Sequence, residues 1–328
     1  MRVLVTGGAG FIGGHLAEAL VEGGHQVTAL DNLDPFYDVR IKERNVEIAR
    51  SVAADADGRY TFVEGDVRDR ELVEEVVSAA DVVFHEAAQA GVRASLEEPH
   101  KPTTVNVTGT LNVLDAARGA GVDRVILASS SSVYGRTEYL PYDEAHPTRP
   151  VSPYGVSKLA GEHYGRVYHE TFGLPVVSLR YFTVYGPRMR PNMAISNFVS
   201  RCMNGESPVV YGDGTQTRDF THVDDVVAVN RTLLEADAAD GTVLNVGSGG
   251  NITVLELAEH VRDAIDPDLP IAFDDRPPGD AEHTHADVSR ARRLLGYEPS
   301  VDIRDGVADF IEWYAANRDW YDPLVRAS

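Results

Sequence analysis

Runs of β-branched and apolar residues near 2–6, 26–31, 60–64, 81–85, 124–129 and 176–181 are separated by stretches whose apolar positions recur every three or four residues. The runs predict strands, and the intervening periodicity predicts helices near 11–23, 70–80, 101–119 and 153–172. Val3-Leu4-Val5, followed by Phe11, Ile12, Leu16, Ala19 and Leu20, shows the change of period plainly. Strand and helix in alternation predict an α/β fold with a doubly wound parallel sheet. Between Asp34 and Gly58 the pattern turns polar, and a loop with a short helix around Ile41–Arg50 is expected there. Beyond Tyr181 the alternation breaks up at Gly186-Pro187, Gly212–Gly214 and Pro277-Pro278-Gly279. The expected division is a main domain over 1–180 and a smaller C-terminal α/β domain over 181–328. About 217–246 should return to the main sheet through a helix near 223–235 and a strand at Thr242–Asn245.

A chain of 328 residues that is 43% hydrophobic can bury a full core. No apolar run approaches the ~20 residues of a bilayer span. The first strand begins at residue 2, leaving no room for a basic and then apolar leader, and the single Cys202 allows no internal disulfide. A soluble protein of a reducing cytoplasm is expected. Asp and Glu total 51 against 30 Lys and Arg, a net charge of −21. That balance argues against a nucleic-acid partner, which needs cationic surface. The acids are spread along the chain, as on a solvated face. Lysine stands at 42, 101 and 158 only. Arginine bias alone could come from a GC-rich genome; together with the acidity it points to a halophile, whose salt screens self-repulsion.

Candidate chemistry begins at the first strand. Thr6-Gly7-Gly8-Ala9-Gly10-Phe11-Ile12-Gly13 joins that strand to a helix. Glycines there let the backbone approach a pyrophosphate, and a helix N-terminus offers amide donors. Alone they could mark a tight turn. The second strand, however, ends at Asp31, placed to accept from a ribose 2′-hydroxyl and to repel a 2′-phosphate, so NAD is favoured over NADP. Open parallel sheets bind ligands beyond the carboxyl ends of their strands. Gly7, Asp31, Asp66, Ala87, Ser130 and Tyr181 all fall at or just past such ends.

A second constellation is Ser152-Pro153-Tyr154-Gly155-Val156-Ser157-Lys158, with Ser129-Ser130-Ser131-Ser132 upstream. A free tyrosine titrates near ~10. An ammonium four residues away, on the same helix face, favours the phenolate and makes a base of it. The bland reading is an exposed Tyr and Lys on an amphipathic helix.

With these motifs in place, nearly the whole chain resembles the extended short-chain dehydrogenases/reductases, and within them the NAD-dependent nucleotide-sugar epimerases and dehydratases. Gly65-Asp66-Val67-Arg68-Asp69, His85-Glu86-Ala87-Ala88-Gln89, Asn106-Val107-Thr108-Gly109-Thr110 and Tyr211-Gly212-Asp213-Gly214 carry the likeness further. The resemblance implies a cofactor site of Gly7, Gly10, Phe11, Ile12, Gly13, Asp31, Asn32, Asp66, Val67, Ala87, Ala88, Asn106, Tyr154, Lys158 and Tyr181. It also implies a homodimer built on the helices near 101–119 and 153–172. Tyr154 would take the sugar-hydroxyl proton, Lys158 would lower its pKa and hold the nicotinamide ribose, and Ser130 would relay the proton.

Dehydratases resembling this chain carry an Asp-Glu pair before the Val-Tyr-Gly segment, and UDP-glucuronate decarboxylases carry a Glu there. Here Ser131 and Ser132 stand in both places. Neither is an acid-base carboxyl. Oxidation at C4 should therefore be followed by return of the hydride to the other face, a 4-epimerisation. The segment Arg180 to Ala194 and the segment Asp31 to Asp38 resemble UDP-glucuronate 4-epimerases, with Thr183 and Arg190 as substrate contacts. An arginine fork suits a sugar carboxylate; a local acid or a phosphate is the other partner open to Arg190. Arg93, Tyr211, Arg218 and Arg276 complete the substrate set, although Arg276 precedes Pro277-Pro278-Gly279-Asp280 one residue earlier than the family's Arg-x-Gly-Asp. His283 and His285 find no matching further ligands, so no metal is expected. The expected substrates are UDP-glucuronate and UDP-galacturonate. The alternatives are a UDP-glucose/UDP-galactose or N-acetylhexosamine 4-epimerase, a dehydratase or decarboxylase, and a non-catalytic NAD-binding regulator.

Overall fold

The computed structural model describes residues 1–275 and 281–327. Its centre is a sheet of seven parallel strands: β1 (Arg2–Thr6), β2 (Gln26–Asp31), β3 (Arg59–Glu64), β4 (Val82–His85), β5 (Arg124–Ser130), β6 (Val176–Tyr181) and, after four short strands described below, β11 (Val243–Val246). In space they run β11-β6-β5-β4-β1-β2-β3. Strands covered on both faces read as continuous apolar runs. Accordingly all six residues of β6 and all four of β4 are buried. Successive side chains point to opposite faces. Val3, Val5 and Phe84 therefore pack with Leu16, Leu20 and Ile41 on one side. Leu4, Val83 and Val125 pack with Val73, Val113 and Leu114 on the other.

The helices Phe11–Glu22, Val39–Asp55 and Val223–Thr232 cover the first face. Arg70–Ser78, Gly109–Ala120 and Pro153–Phe172 cover the second. The helix expected at Ile41–Arg50 is longer than its polarity suggested, because Ile41, Lys42, Asn45, Val46 and Ala49 form a buried stripe along it. The helix near 101–119 is interrupted by a π-helical turn at Thr103–Thr108. Such turns are rare and cluster at functional positions; this one holds Asn106 at its buried side.

After β6 the chain leaves the sheet and returns. Strands β7 (Thr183–Tyr185), β8 (Val209–Tyr211), β9 (Thr217–Arg218) and β10 (Phe220–His222) precede β11, which pairs with β6 in parallel. Two more short strands, β12 (Ile252–Thr253) and β13 (Ala272–Asp274), pair with β9 and β8. The helices Ala194–Met203, Val254–Ile265, Ser289–Leu295 and Ile303–Arg326 pack around them. Among the described residues no helix is long and apolar enough to cross a membrane.

Candidate active site

The order of strands reverses between β4 and β1, and the cleft opens at their carboxyl ends. Gly7 leaves β1 with φ +69°, in the left-handed region, and its amide donates to Leu30 O at 2.7 Å. A Cβ at Gly7 would lie 2.7 Å from the Ala87 nitrogen, and one at Gly13 would lie 2.2 Å from Gly7 O. Side chains are thus excluded where the turn, β4 and the helix Phe11–Glu22 meet. That helix begins without a side-chain cap, so its first amides stay available at the cleft. This cradle fits the diphosphate of a dinucleotide. Asp31 sits at the tip of β2, accepting from Leu33 N at 2.9 Å, Ala9 N at 3.2 Å and Lys42 Nζ at 3.2 Å.

The remaining cofactor residues are held by their neighbours. Asn32 donates to Asp66 at 2.8 Å, and hydrogen bonds from Arg68 pull the Asp66 carboxyl down to about 2. Val67 presses on Gly109, where a Cβ would meet it at 2.5 Å. Ala87 donates its amide to Thr6 Oγ1 at 3.2 Å. Asn106 is buried at the cleft wall formed by Gln89 and Val105. It accepts from Gln89 N at 2.7 Å and donates to Gln89 O and Ser157 Oγ, which ties the Ala87–Gln89 wall to the helix of Tyr154.

Ser152 caps the helix Pro153–Phe172 by accepting from Gly155 N at 3.1 Å, which aims Tyr154 at the tip of β5. There Ser130 and Tyr154 line the cleft together, and the Ser130 hydroxyl acts on the phenol. Lys158 Nζ donates to Ala128 O at 2.6 Å. Burial raises the phenol above its ordinary value; the Ser130 hydroxyl and the Arg190 cation pull it down, and Glu86 pushes it up. Arg190 is a second cation acting on Tyr154, one that the four-residue spacing to Lys158 did not suggest. Burial lowers the Lys158 ammonium, while Glu86 and Glu162 hold it up.

Glu86 escapes the sequence reading, as does Lys42. Glu86 lines the cleft at the tip of β4, accepts from Tyr181 Oη at 2.9 Å, and is pushed up by burial. The available signal was a lone acid between buried His85 and the small residues Ala87 and Ala88. Tyr181 also accepts from Asn230 Nδ2 at 2.9 Å.

Thr183 and Arg190 enter the same cleft from beyond β6. Arg190 lies within electrostatic reach of the Tyr154 and Tyr37 hydroxyls, and its guanidinium carbon is 5.6 Å from the Phe36 ring centroid. Among the described residues no carboxylate pairs with it. Arg93, next to the cleft residues Gly91 and Val92, stacks at 5.1 Å over the half-exposed Tyr211 ring. Arg218 lines an adjoining recess with Ser131, Ser132 and Thr183, and donates to Thr217 O and Glu282 O. Arg276 lies outside the described residues. His283 bonds Thr217 Oγ1 and His285 bonds Gly249 O. No group of three or more His, Cys, Asp or Glu suited to a metal occurs among the described residues.

The geometry has counterparts of known structure. Residues 4–310 match the family described as GDP-mannose 4,6 dehydratase. UDP-glucuronate 4-epimerase from Thermodesulfobacterium geofontis is 35% identical over 319 residues, spanning 96% of each chain. The crystal structure of UDP-glucuronic acid 4-epimerase from Bacillus cereus with UDP-glucuronic acid and NAD superposes with a TM-score of 0.89 at 34% identity, over 97% of this chain and 100% of that one. UDP-glucose 4-epimerase from Thermotoga maritima with UDP-glucose gives 0.88 at 32% identity, over 97% and 100%.

Proposed function

Since this chain belongs to the GDP-mannose 4,6-dehydratase family of extended short-chain dehydrogenases/reductases, we propose that it is an isomerase, an NAD-dependent UDP-sugar 4-epimerase interconverting UDP-glucuronate and UDP-galacturonate. Arg190 carries the reading of the substrate. It is a cation beside Tyr154 with no acid of its own among the described residues. A sugar whose C4 hydroxyl faces Tyr154 brings its C5 carboxylate to that side, where a planar fork can bind it.

Bound NAD would supply the acceptor and donor for the C4 hydride. Tyr154 accepts the C4-hydroxyl proton, and Ser130, beside it in the cleft, holds the same oxygen. Lys158, anchored on Ala128 O, would hold the nicotinamide ribose. Ser131 and Ser132 supply hydroxyls where elimination would need carboxyls. The 4-keto sugar therefore turns over and Tyr154 gives the proton back. Residues 181–328 mainly hold the nucleotide sugar, with 217–246 shared with the sheet.

Purified protein incubated separately with UDP-glucuronate, UDP-glucose and UDP-N-acetylglucosamine should produce chiefly the uronate pair. Arg190→Ala should lose roughly ten- to a hundredfold more on UDP-glucuronate than on UDP-glucose, the scale of a charge-assisted hydrogen bond. Equal losses, or a wild-type preference for UDP-glucose, overturn the uronate reading and leave the epimerase class standing.

The working form we place as a homodimer on the helices Gly109–Ala120 and Pro153–Phe172, where Val156, Val167 and Phe172 are exposed. Light scattering at working salt that gives a mass near 35.7 kDa rejects it.

A further inference from the structure

The segment between β2 and the helix Val39–Asp55 is pinned at several points. Lys101 Nζ pairs with Asp34 at 3.0 Å, Tyr37 is buried with the Lys42 ammonium 5.5 Å from its ring centroid, and Asp38 caps the helix through the Arg40 amide. Between these anchors the Phe36 ring has little freedom. Its Cζ faces Gly91, where an added methyl would lie 3.1 Å away. Gly91 has φ +106°, so two independent constraints favour glycine there. The ring also meets the Arg190 guanidinium, which arrives from a distant part of the chain.

Arg190 sits on a long side chain with several single bonds. Buried arginines elsewhere in the protein are oriented by carboxylates: Arg180 by Glu162 and Arg188 by Glu18. Arg190 has no such partner among the described residues, and Phe36 offers its guanidinium an aromatic face. A cation is attracted to that face, most strongly where water is excluded.

We propose that Phe36 is a positioning residue for substrate selection: its ring holds the Arg190 guanidinium in the orientation that meets a sugar carboxylate, and Gly91 leaves the ring its place. This rests on the reading of Arg190 as the uronate contact. The segment from Asp31 to Phe36 thereby serves two ligands, the cofactor ribose through Asp31 and the sugar through Phe36.

The test compares holoenzyme variants Phe36→Leu, which keeps apolar volume without a π face, and Phe36→Tyr, which keeps the face. Rates are measured with UDP-glucuronate, and binding of UDP-glucose by calorimetry, with Arg190→Ala in parallel. Phe36→Leu should raise KM for UDP-glucuronate by about three- to thirtyfold, the scale of a desolvated cation–π contact. It should change kcat and the UDP-glucose Kd far less. Phe36→Tyr should restore KM, and Phe36→Leu should add little on top of Arg190→Ala. A selective Arg190→Ala beside a Phe36→Leu variant that is unaffected, or equally impaired toward both sugars, overturns the positioning role alone. An unselective Arg190→Ala overturns the uronate reading and the proposal with it.

Discussion

Below the catalytic helix, Arg180 donates to both oxygens of Glu162, at 2.9 and 2.7 Å, and lies 4.8 Å over the Tyr134 ring. Ser129 adds a third hydrogen bond to the same carboxylate, and Tyr134 reaches Asn245 on β11 at 2.6 Å. In the cleft above, Arg190 is held against Phe36 and near two phenols with no carboxylate of its own among the described residues. The two arginines are ten positions apart in sequence. The lower region completes its charges within the chain and thereby fixes β5, β6 and the catalytic helix together. The upper region leaves its cation without a carboxylate among the described residues. Buried charge with an internal partner speaks for structure; cleft charge without one speaks for recognition.

That contrast breaks if variants in the two regions fail alike. The largest effect is expected from Tyr154→Phe in the cleft, which should keep its melting temperature and bound NAD while losing ~10²–10⁴-fold in turnover. Turnover near the wild type removes Tyr154 from the chemistry. Glu162→Ala in the floor should act the other way. Leaving Arg180 buried and uncompensated should cost about 3–5 kcal/mol in stability, read as a lower denaturant midpoint. A variant as stable as the wild type makes the pair dispensable and the contrast empty.

Glu86→Gln sharpens the comparison, because Glu86 is an acid of the cleft that acts on both Tyr154 and Lys158. Its negative charge raises both Tyr154 and Lys158, against Arg190 and Ser130 on the first and alongside Glu162 on the second. Neutralising it lowers both groups, so the pH profile of kcat/KM should move toward acid on both limbs. An unmoved profile means that Glu86 is protonated throughout the working range. The smallest effect concerns the surface. Raising salt from 0.1 M to 1 M shortens the Debye length from ~10 Å to ~3 Å. If the charge of −21 reflects a saline setting, melting should rise modestly with KCl while the buried Glu162–Arg180 pair is little affected. A flat or falling curve leaves genome composition as the source of the bias.

The strands of the main sheet and most of its helices lie within one or two residues of where periodicity puts them, since their apolar pattern is local. The helix Val39–Asp55 was expected to be shorter because its five buried positions are diluted by charges on the outer face. Helices such as Val254–Ile265 and Ile303–Arg326 went unread. Their pattern is amphipathic, but they lie beyond the point where strand and helix cease to alternate.

The sequence by itself determined the parts of this protein whose physics is short-ranged. The glycine turn needs glycine at adjacent positions, Asp31 ends its own strand, and Tyr154 and Lys158 are set one helical turn apart by the helix itself. The tertiary structure alone decided which charges meet. It turned the Lys158 ammonium onto Ala128 O, brought the Arg190 cation within reach of Tyr154, brought Glu86 against Tyr181, and laid Phe36 on Arg190. Those pairs join residues distant in sequence, and electrostatic and packing energies depend on separation and burial in space, which no local pattern encodes.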